Sequence, residues 1–145
     1  MPERAKLLRE LCRELVEELG ASACAISRVL GELLVQVAEH TTDERTLVVG
    51  AGYLIPDYPL TARVLEDGEP VALSLADPDP DPDEAALLAE LGYESLLMLR
   101  LSVGGSPWAL VEVYGDGGRR FDDGDVEKAG RVVAAAEQAL ASPGQ

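Results

Sequence analysis

Cysteine and histidine are nearly missing from this chain, and their scarcity removes several kinds of chemistry at once. Cys12 and Cys24 are the two cysteines in 145 residues, no CxxC pair occurs, and His40 is the single histidine. That count is too low for a disulfide scaffold or a structural zinc site, and no metal is expected. Catalysis led by His40 would need a nucleophile at suitable spacing, and none is offered, so His40 reads as a solvated strand-end residue and the chain as a non-enzyme. Long apolar runs are lacking too: none approaches the ~18 residues of a membrane span. The opening Pro2, Glu3, Arg4 and Lys6 lead into an amphipathic pattern, not a secretion signal or lipidation site, which makes the cytoplasm the default location. Basic residues are also few. Twelve Lys and Arg against 27 Asp and Glu leave a net charge of −15, which repels a phosphate backbone, and no basic stripe interleaved with aromatics opposes it. Neither nucleic acid nor membrane is an expected partner.

What is present is the composition of a soluble domain, 47% hydrophobic and 27% charged. The length suits one domain with one core, spanning 1–145 with a core of about 4–141. The stretch Tyr93 to Tyr114, YESLLMLRLSVGGSPWALVEVY, reads as two apolar strands joined at Gly104-Gly105, a pair that supplies the positive φ of a tight primed turn. With that turn, Val103 falls opposite Ser106, Arg100 opposite Ala109 and Met98 opposite Val111. One face would carry Leu97, Leu99, Leu101, Trp108, Leu110, Glu112 and Tyr114; the other would carry Leu96, Met98, Arg100, Ala109, Val111 and Val113. Both are mainly apolar, so the sheet needs cover on both sides.

The rest of the chain supplies it. From Arg4 to Leu19 the apolar residues Leu7, Leu8, Leu11, Cys12, Leu15, Val16 and Leu19 recur at helical spacing, and Gly20 is the stop. Ala23 to Leu30 and Leu33 to His40 form a second hairpin around Gly31-Glu32, with Arg28 opposite Val35. Cys12 in the stripe and Cys24 in the strand each read as a small buried hydrophobe. Thr41 to Pro56 is irregular, with turn residues TTDE and an apolar run broken by Gly50 and Gly52. A short helix follows, with Pro59 in its first turn, Leu60, Val64 and Leu65 inward and Gly68 at its end; Val71 to Leu75 is a short strand. In the acidic, proline-rich loop of 76–82, alternating Asp and Pro predict an extended, solvated, mobile stretch from Ala76 to Pro80. Asp81, Pro82, Asp83 and Glu84 then read as N-cap, first-turn proline and the acids of a capping box, opening a helix through Leu87, Leu88 and Leu91 to Gly92. Asp122 caps a last helix with Val126, Ala129, Val132, Val133, Ala136 and Leu140 on its apolar face, and 142–145 is a tail. Hairpins outnumber crossovers, which predicts an α+β fold with a central, mainly antiparallel sheet of five or six strands. The first and last helices cover one face; short helices and loops cover the other, where a pocket is expected.

Three segments resemble a known family in this order and spacing: YPLTARVLEDGEPVAL from Tyr58, ELGYESLLMLRLSVGGSPWALVEVY from Glu90, and RRFDDGDVEKAGRVVAAAEQAL from Arg119. The chain is similar, from Leu7 to Leu140, to the GAF domain, a small-molecule-sensing and dimerisation module of signalling proteins with a GAF/PAS-like fold. The resemblance implies a pocket roofed by Tyr53 to Pro59 and Leu75 to Leu91, homodimerisation through the N- and C-terminal helices, and an output domain that this chain lacks, as in a module excised from a longer protein. Arg100 stands where the family usually has proline and Ala109 where it has glycine. The cyclic-nucleotide motif, which begins Asn-Lys, has no counterpart in a chain without asparagine. Bilin-binding members use a pocket cysteine and free methionine sulfoxide reductases use loop cysteines, whereas both cysteines here precede the pocket. No cofactor is expected.

The candidate ligand-binding residues are Tyr53, Tyr58, Tyr93, Arg100 and Trp108. The tyrosines fall where pocket walls should be and combine a flat surface with a polar tip, though core packing accounts for them equally. Arg100 can clamp a carboxylate or phosphate, or pair with a surface acid. Trp108 is a ligand platform or a structural plug, and Glu112 faces solvent or a local ion pair. The DPDPDPDE run lacks the curled shape that gathers oxygen ligands around calcium. Two roles stay open: a sensory domain binding a small molecule between sheet and lid, or a structural dimerisation module whose pocket is filled by its own leucines.

Overall fold

The computed structural model describes residues 2–43 and 52–141. Residues 44–51 of the glycine-broken segment and the tail at 142–145 lie outside them. The elements are α1 (Pro2–Leu19), β1 (Ala23–Leu30), β2 (Leu33–Thr41), β3 (Gly52–Leu54), a 3-10 turn (Ile55–Asp57), α2 (Pro59–Asp67), β4 (Val71–Ser74), α3 (Pro82–Leu91), β5 (Ser95–Val103), β6 (Ser106–Gly115) and α4 (Asp123–Ala141). The strands form one sheet in the order β3-β2-β1-β6-β5-β4, with every pairing antiparallel. The two hairpins lie side by side because β1 pairs with β6. That pairing brings the strand after α1 against the strand before α4, so both helices fall on one face.

Leu8, Leu11, Cys12, Leu15, Val16 and Leu19 of α1 are buried with Ala129, Val133, Ala136 and Leu140 of α4 and with Leu97, Leu99, Leu101, Ala109, Val111 and Val113 of the sheet. Each large side chain here contributes about 1.5–3 kcal/mol relative to an exposed one. The helix ends are tied together. α1 has no basic residue in its own last turn; Arg119 donates to the carbonyl of Leu19 and Lys128 to that of Glu18, placing positive charge where the helix dipole is negative. α4 starts with a reciprocal cap: Asp125 N–H donates to Asp122 Oδ1 at 2.8 Å and Asp122 N–H to Asp125 Oδ2 at 3.0 Å.

The central hairpin departs from the register its turn residues predict. Val103 pairs with Ser106 and Ser102 with Pro107, but Leu101 then pairs with Ala109, leaving Trp108 unpaired as a one-residue bulge. Arg100 is therefore opposite Leu110, not Ala109, and Met98 is opposite Glu112, not Val111. Because side chains alternate every residue, one extra residue transfers the rest of β6 to the other face. Ala109, Val111 and Val113 join Leu97, Leu99 and Leu101 under the helices, while Leu110 and Tyr114 join Leu96 and Met98 on the far side. Glu112 goes with them, onto the face that Arg100 occupies and not the one opposite. The bulge is stabilised locally: Pro107 has no N–H to lose, and Arg28 Nη1 donates to the Trp108 carbonyl at 2.7 Å while stacking on its ring, 4.0 Å from the centroid. The first hairpin keeps Arg28 opposite Val35 as expected, then bulges at Val37.

On the far face, α2 and α3 lie over a second core of Val64, Leu65, Leu73, Leu88, Tyr93, Leu96, Met98, Leu110 and Tyr114. α2 ends at Gly68, which takes φ 75° and donates its N–H to Val64 O. The acidic loop is turned rather than extended from Leu75 to Asp79. Asp77 accepts from Ser74 N–H at 2.8 Å and pairs with Arg120. Two hydrogen-bonding partners hold what alternating Asp-Pro left unspecified.

Candidate functional site

Between the far face of the sheet and its cover is a cavity of about 20 Å³, room for about one water. Leu34 and Gln36 of β2 and Leu110, Glu112 and Tyr114 of β6 form its floor. Tyr53 of β3, Tyr58 and Thr61 around the start of α2, and Glu84, Leu87 and Leu91 of α3 form its walls. Seven of these eleven lining residues carry a polar side chain, where composition would place leucine.

Glu84 is set by the local chemistry of α3. Asp81 caps the helix, accepting Glu84 N–H at 3.0 Å, and Pro82 begins its first turn. In a capping box the third residue's carboxylate would reach back to the cap. Glu84 instead points inward, is 1% exposed, and accepts a hydrogen bond from Thr61 Oγ1 of α2. The bond joins the two lid helices. Met98 Sδ lies 3.5 Å from the same hydroxyl. Burial raises the Glu84 pKa, the Thr61 bond opposes that, and Asp81 and Asp83 add to it.

Glu112 rises from the floor and keeps part of its surface open to the cavity. Its pKa is pushed up to about 8, chiefly by burial, then by the charge of Glu84, with a hydrogen bond to Tyr114 pulling the other way. Because Glu84 acts on Glu112, the titrations of the two carboxyls are coupled. At neutral pH Glu112 is mostly a neutral acid. Gln36 is 6% exposed, and its Nε2 is buried without a hydrogen-bond partner. Such an amide costs about 1–3 kcal/mol until something satisfies it.

Tyr53 and Tyr58 meet edge to face, with centroids 6.1 Å apart and planes at 82°. Burial raises both hydroxyl pKa values, with Glu112 second for Tyr53 and Tyr53 second for Tyr58. These two tyrosines are the expected site residues that line the cavity. Tyr93 is in the core behind it, 1% exposed and stacked on Tyr114 at 5.0 Å. Arg100 shares the cavity's sheet face, but its Nη1 donates to the carbonyls of Leu65 and Glu66 at 3.1 and 3.2 Å, closing the C-terminus of α2. Trp108 is on the opposite face, where it lines an open groove of about 220 Å³ with Arg4, Arg28, Leu8 and Val37. The residues that sequence reasoning missed are Gln36, Thr61, Glu84 and Tyr114, and Glu112 was placed on the wrong face. One signal was available: Gln36 and Glu112 are single polar residues inside otherwise apolar strands.

Elsewhere, Cys12 and Cys24 are buried free thiols on the helix side of the sheet, and burial pushes the Cys24 pKa up, away from reactivity. Among the described residues, no group of three or more His, Cys, Asp or Glu is placed to hold a metal ion, and no helix is long and apolar enough to cross a membrane.

The same fold occurs in solved structures. The phycocyanobilin-bound GAF domain of a cyanobacterial phytochrome superposes with a TM-score of 0.84 at 14% identity, covering 95% of this chain and 84% of that one. The blue-light-absorbing form of the Thermosynechococcus elongatus PixJ GAF domain gives 0.83 at 11% identity, over 97% and 86% of the two chains. The chromophore-binding domain of Stigmatella aurantiaca bacteriophytochrome gives 0.78 at 19% identity, over 95% and 54%. No curated protein gives a sequence match. The family described as GAF domain matches residues 3–140, and with the helix-backed antiparallel sheet and its roofed cavity this places the chain in the GAF domain family.

Proposed function

We propose that this is a sensory domain that binds a small organic molecule between the sheet and the lid formed by α2 and α3. It is non-catalytic, works in the cytoplasm, and passes the change to its terminal helices. The observation that supports this most is the polar cavity itself: two buried-side carboxyls, an unpartnered amide and two tyrosines converge where a purely structural core would place leucine. Proteins tolerate such groups at sites that bind something, because leaving them unsatisfied costs stability. The solved relatives named above as phycocyanobilin-bound or chromophore-binding hold organic ligands on this fold. A bilin attached through cysteine is not the reading here, since Cys12 and Cys24 are on the other side of the sheet.

At about 20 Å³ the cavity admits a whole ligand only if the lid shifts. A ligand that prefers the open lid changes its population, and this is the signal. β6 connects the two sides: Glu112 faces the cavity, while its neighbours Val111 and Val113 pack under α1 and α4. Between those helices runs a groove of about 160 Å³ lined by Leu7, Leu11, Val132, Ala135, Ala136 and Ala139 and edged by Glu10 and Glu14, the surface through which two copies would pair and drive an output module.

The small size of the cavity also favours a second reading, a ligand-free dimerisation module whose lid never opens. A thermal-shift screen against a metabolite panel separates the two. A ligand at a hundred times its dissociation constant adds about 2.7 kcal/mol to stability, a clear rise in Tm. No shift across the panel, together with a concentration-dependent dimer abolished by Val132→Glu, would leave the second reading standing.

A further inference from the structure

Resting on the reading of the cavity as a ligand pocket, we propose that it selects an organic cation bearing a primary ammonium group, held between Glu84, Glu112 and Gln36.

Size, charge and hydrogen bonding point the same way. The cavity holds about one water, and an ammonium head is nearly that size, whereas carboxylate and phosphate heads are larger. Among the described residues that line it none is basic, and beside Leu34, Leu87, Leu91 and Leu110 they are acidic or polar: Glu84 from α3, Glu112 and Tyr114 from β6, Gln36 from β2, Tyr53 from β3, and Tyr58 and Thr61 at the start of α2. Arg100, which shares this sheet face, is committed to the end of α2. An anion would meet two carboxyls with no basic group among the described lining residues to balance it. An ammonium has three donors and no acceptor, and the cavity offers three acceptors to match: both carboxyls and the amide of Gln36. That amide makes no hydrogen bond to any described residue, and its buried Nε2 lacks a partner; a half-turn of the side chain presents Oε1 in the same place. The ligand body leaves past the rings of Tyr53 and Tyr58, which suit an apolar or aromatic group.

Binding has a proton signature. Without ligand at neutral pH, Glu112 is mostly protonated. Seating R–NH3+ beside it favours the carboxylate, so R–NH3+ and Glu112–COOH give an R–NH3+ to Glu112–COO− pair and one H+ passes to the buffer. Charge and atoms balance with no further reactant.

The test uses three molecules that share a ring and differ in the head: benzylammonium, benzyl alcohol and benzoate. The chain has no asparagine and three glutamines, Gln36, Gln138 and Gln145, so the side-chain amide signal of Gln36 is readily followed by NMR. Benzylammonium should shift that signal saturably and more strongly than the other two. Calorimetry at pH 7 in buffers of different ionisation heat should show proton release. Release should vanish in Glu112→Gln, which keeps the side chain's size, and affinity should fall tenfold or more in Glu84→Gln. If benzyl alcohol or benzoate moves the Gln36 signal as strongly, the cavity is a ligand pocket and the selection of a cation is wrong. The same holds if no probe moves it but a neutral or anionic metabolite from the panel does. If nothing moves it, both the pocket and its selectivity fall.

Discussion

Glu112 on the sheet and Glu84 on α3 face one cavity of about 20 Å³ from floor and wall. Burial first, and the neighbouring Glu84 second, raise the Glu112 pKa to about 8 and hold its carboxyl mostly neutral at pH 7.

This pair sets a pH dependence of stability. The folded-state pKa of Glu112 is about 8 against an ordinary 4.5, so the native state keeps a proton that the unfolded chain has lost. The associated stability is fully present below about pH 4.5 and is lost as pH rises through 8, with a slope of at most about 1.4 kcal/mol per pH unit. The shift of Glu84 has the same sign. Asp77 and Asp122, whose pKa values are lowered, act oppositely at the acid end, so stability should be greatest in mildly acid solution. Urea melts from pH 5 to 9 should show the fall. Glu112→Gln should flatten it and be the more stable protein at pH 9; an unchanged slope would mean that Glu112 is ionised in the folded state.

The contact between Thr61 and Glu84 should hold the lid together. Thr61→Val keeps the shape of the side chain but leaves a buried carboxylate without its donor, a loss of about 1–3 kcal/mol. Glu84 should then titrate higher, because the bond that lowers its pKa is gone. Denaturant melts give the first quantity and carboxyl-region NMR titration the second. Loss of stability with no change in titration would point to packing against Met98 instead.

The end of α2 offers a double-mutant cycle. Gly68 takes φ 75° and a Cβ there would overlap the guanidinium of Arg100, so Gly68→Ala should cost more than the ~1 kcal/mol of backbone strain alone. Arg100→Ala removes hydrogen bonds to two carbonyls and should cost about 1–3 kcal/mol. The double variant should be less destabilised than the sum of the two, because the clash disappears with the arginine. Strict additivity would show that the guanidinium does not lie under Gly68.

The caps and stops of this fold were legible because each is local. Gly20, Gly68 and Gly92 end helices, Asp81 and Asp122 begin them, and the two hairpin turns are at Gly31 and Gly104-Gly105. The lining of the cavity was not, because it depends on phase. Counting from the turn gives the correct pairing for Val103 and Ser102 and the wrong face for all of β6 beyond Trp108. Nothing in SPWAL announces the bulge, which forms because Leu99 and Leu101 must share a buried face with Ala109 and Val111. Likewise Glu84 satisfies every local requirement of a capping acid, yet Thr61, 23 residues away, draws it inward.

The bulge itself can be tested by removing it. Deleting Trp108 would leave Gly104-Gly105 between pairs 103–106 and 102–107 and bring Ala109 next in line opposite Leu101, a regular hairpin with the same inner register. Glu112 would stay on the cavity face. The deletion loses the ring that Arg28 and Arg4 stack on, at 4.0 and 5.5 Å, and should destabilise by about 1–3 kcal/mol from lost burial and stacking. The expected result is a folded, weaker protein that keeps the decline in stability toward pH 8 set by Glu112. If the bulge instead fixes the register of the whole strand, the deletion would turn Glu112 toward α1 and α4, and the domain would fail to fold.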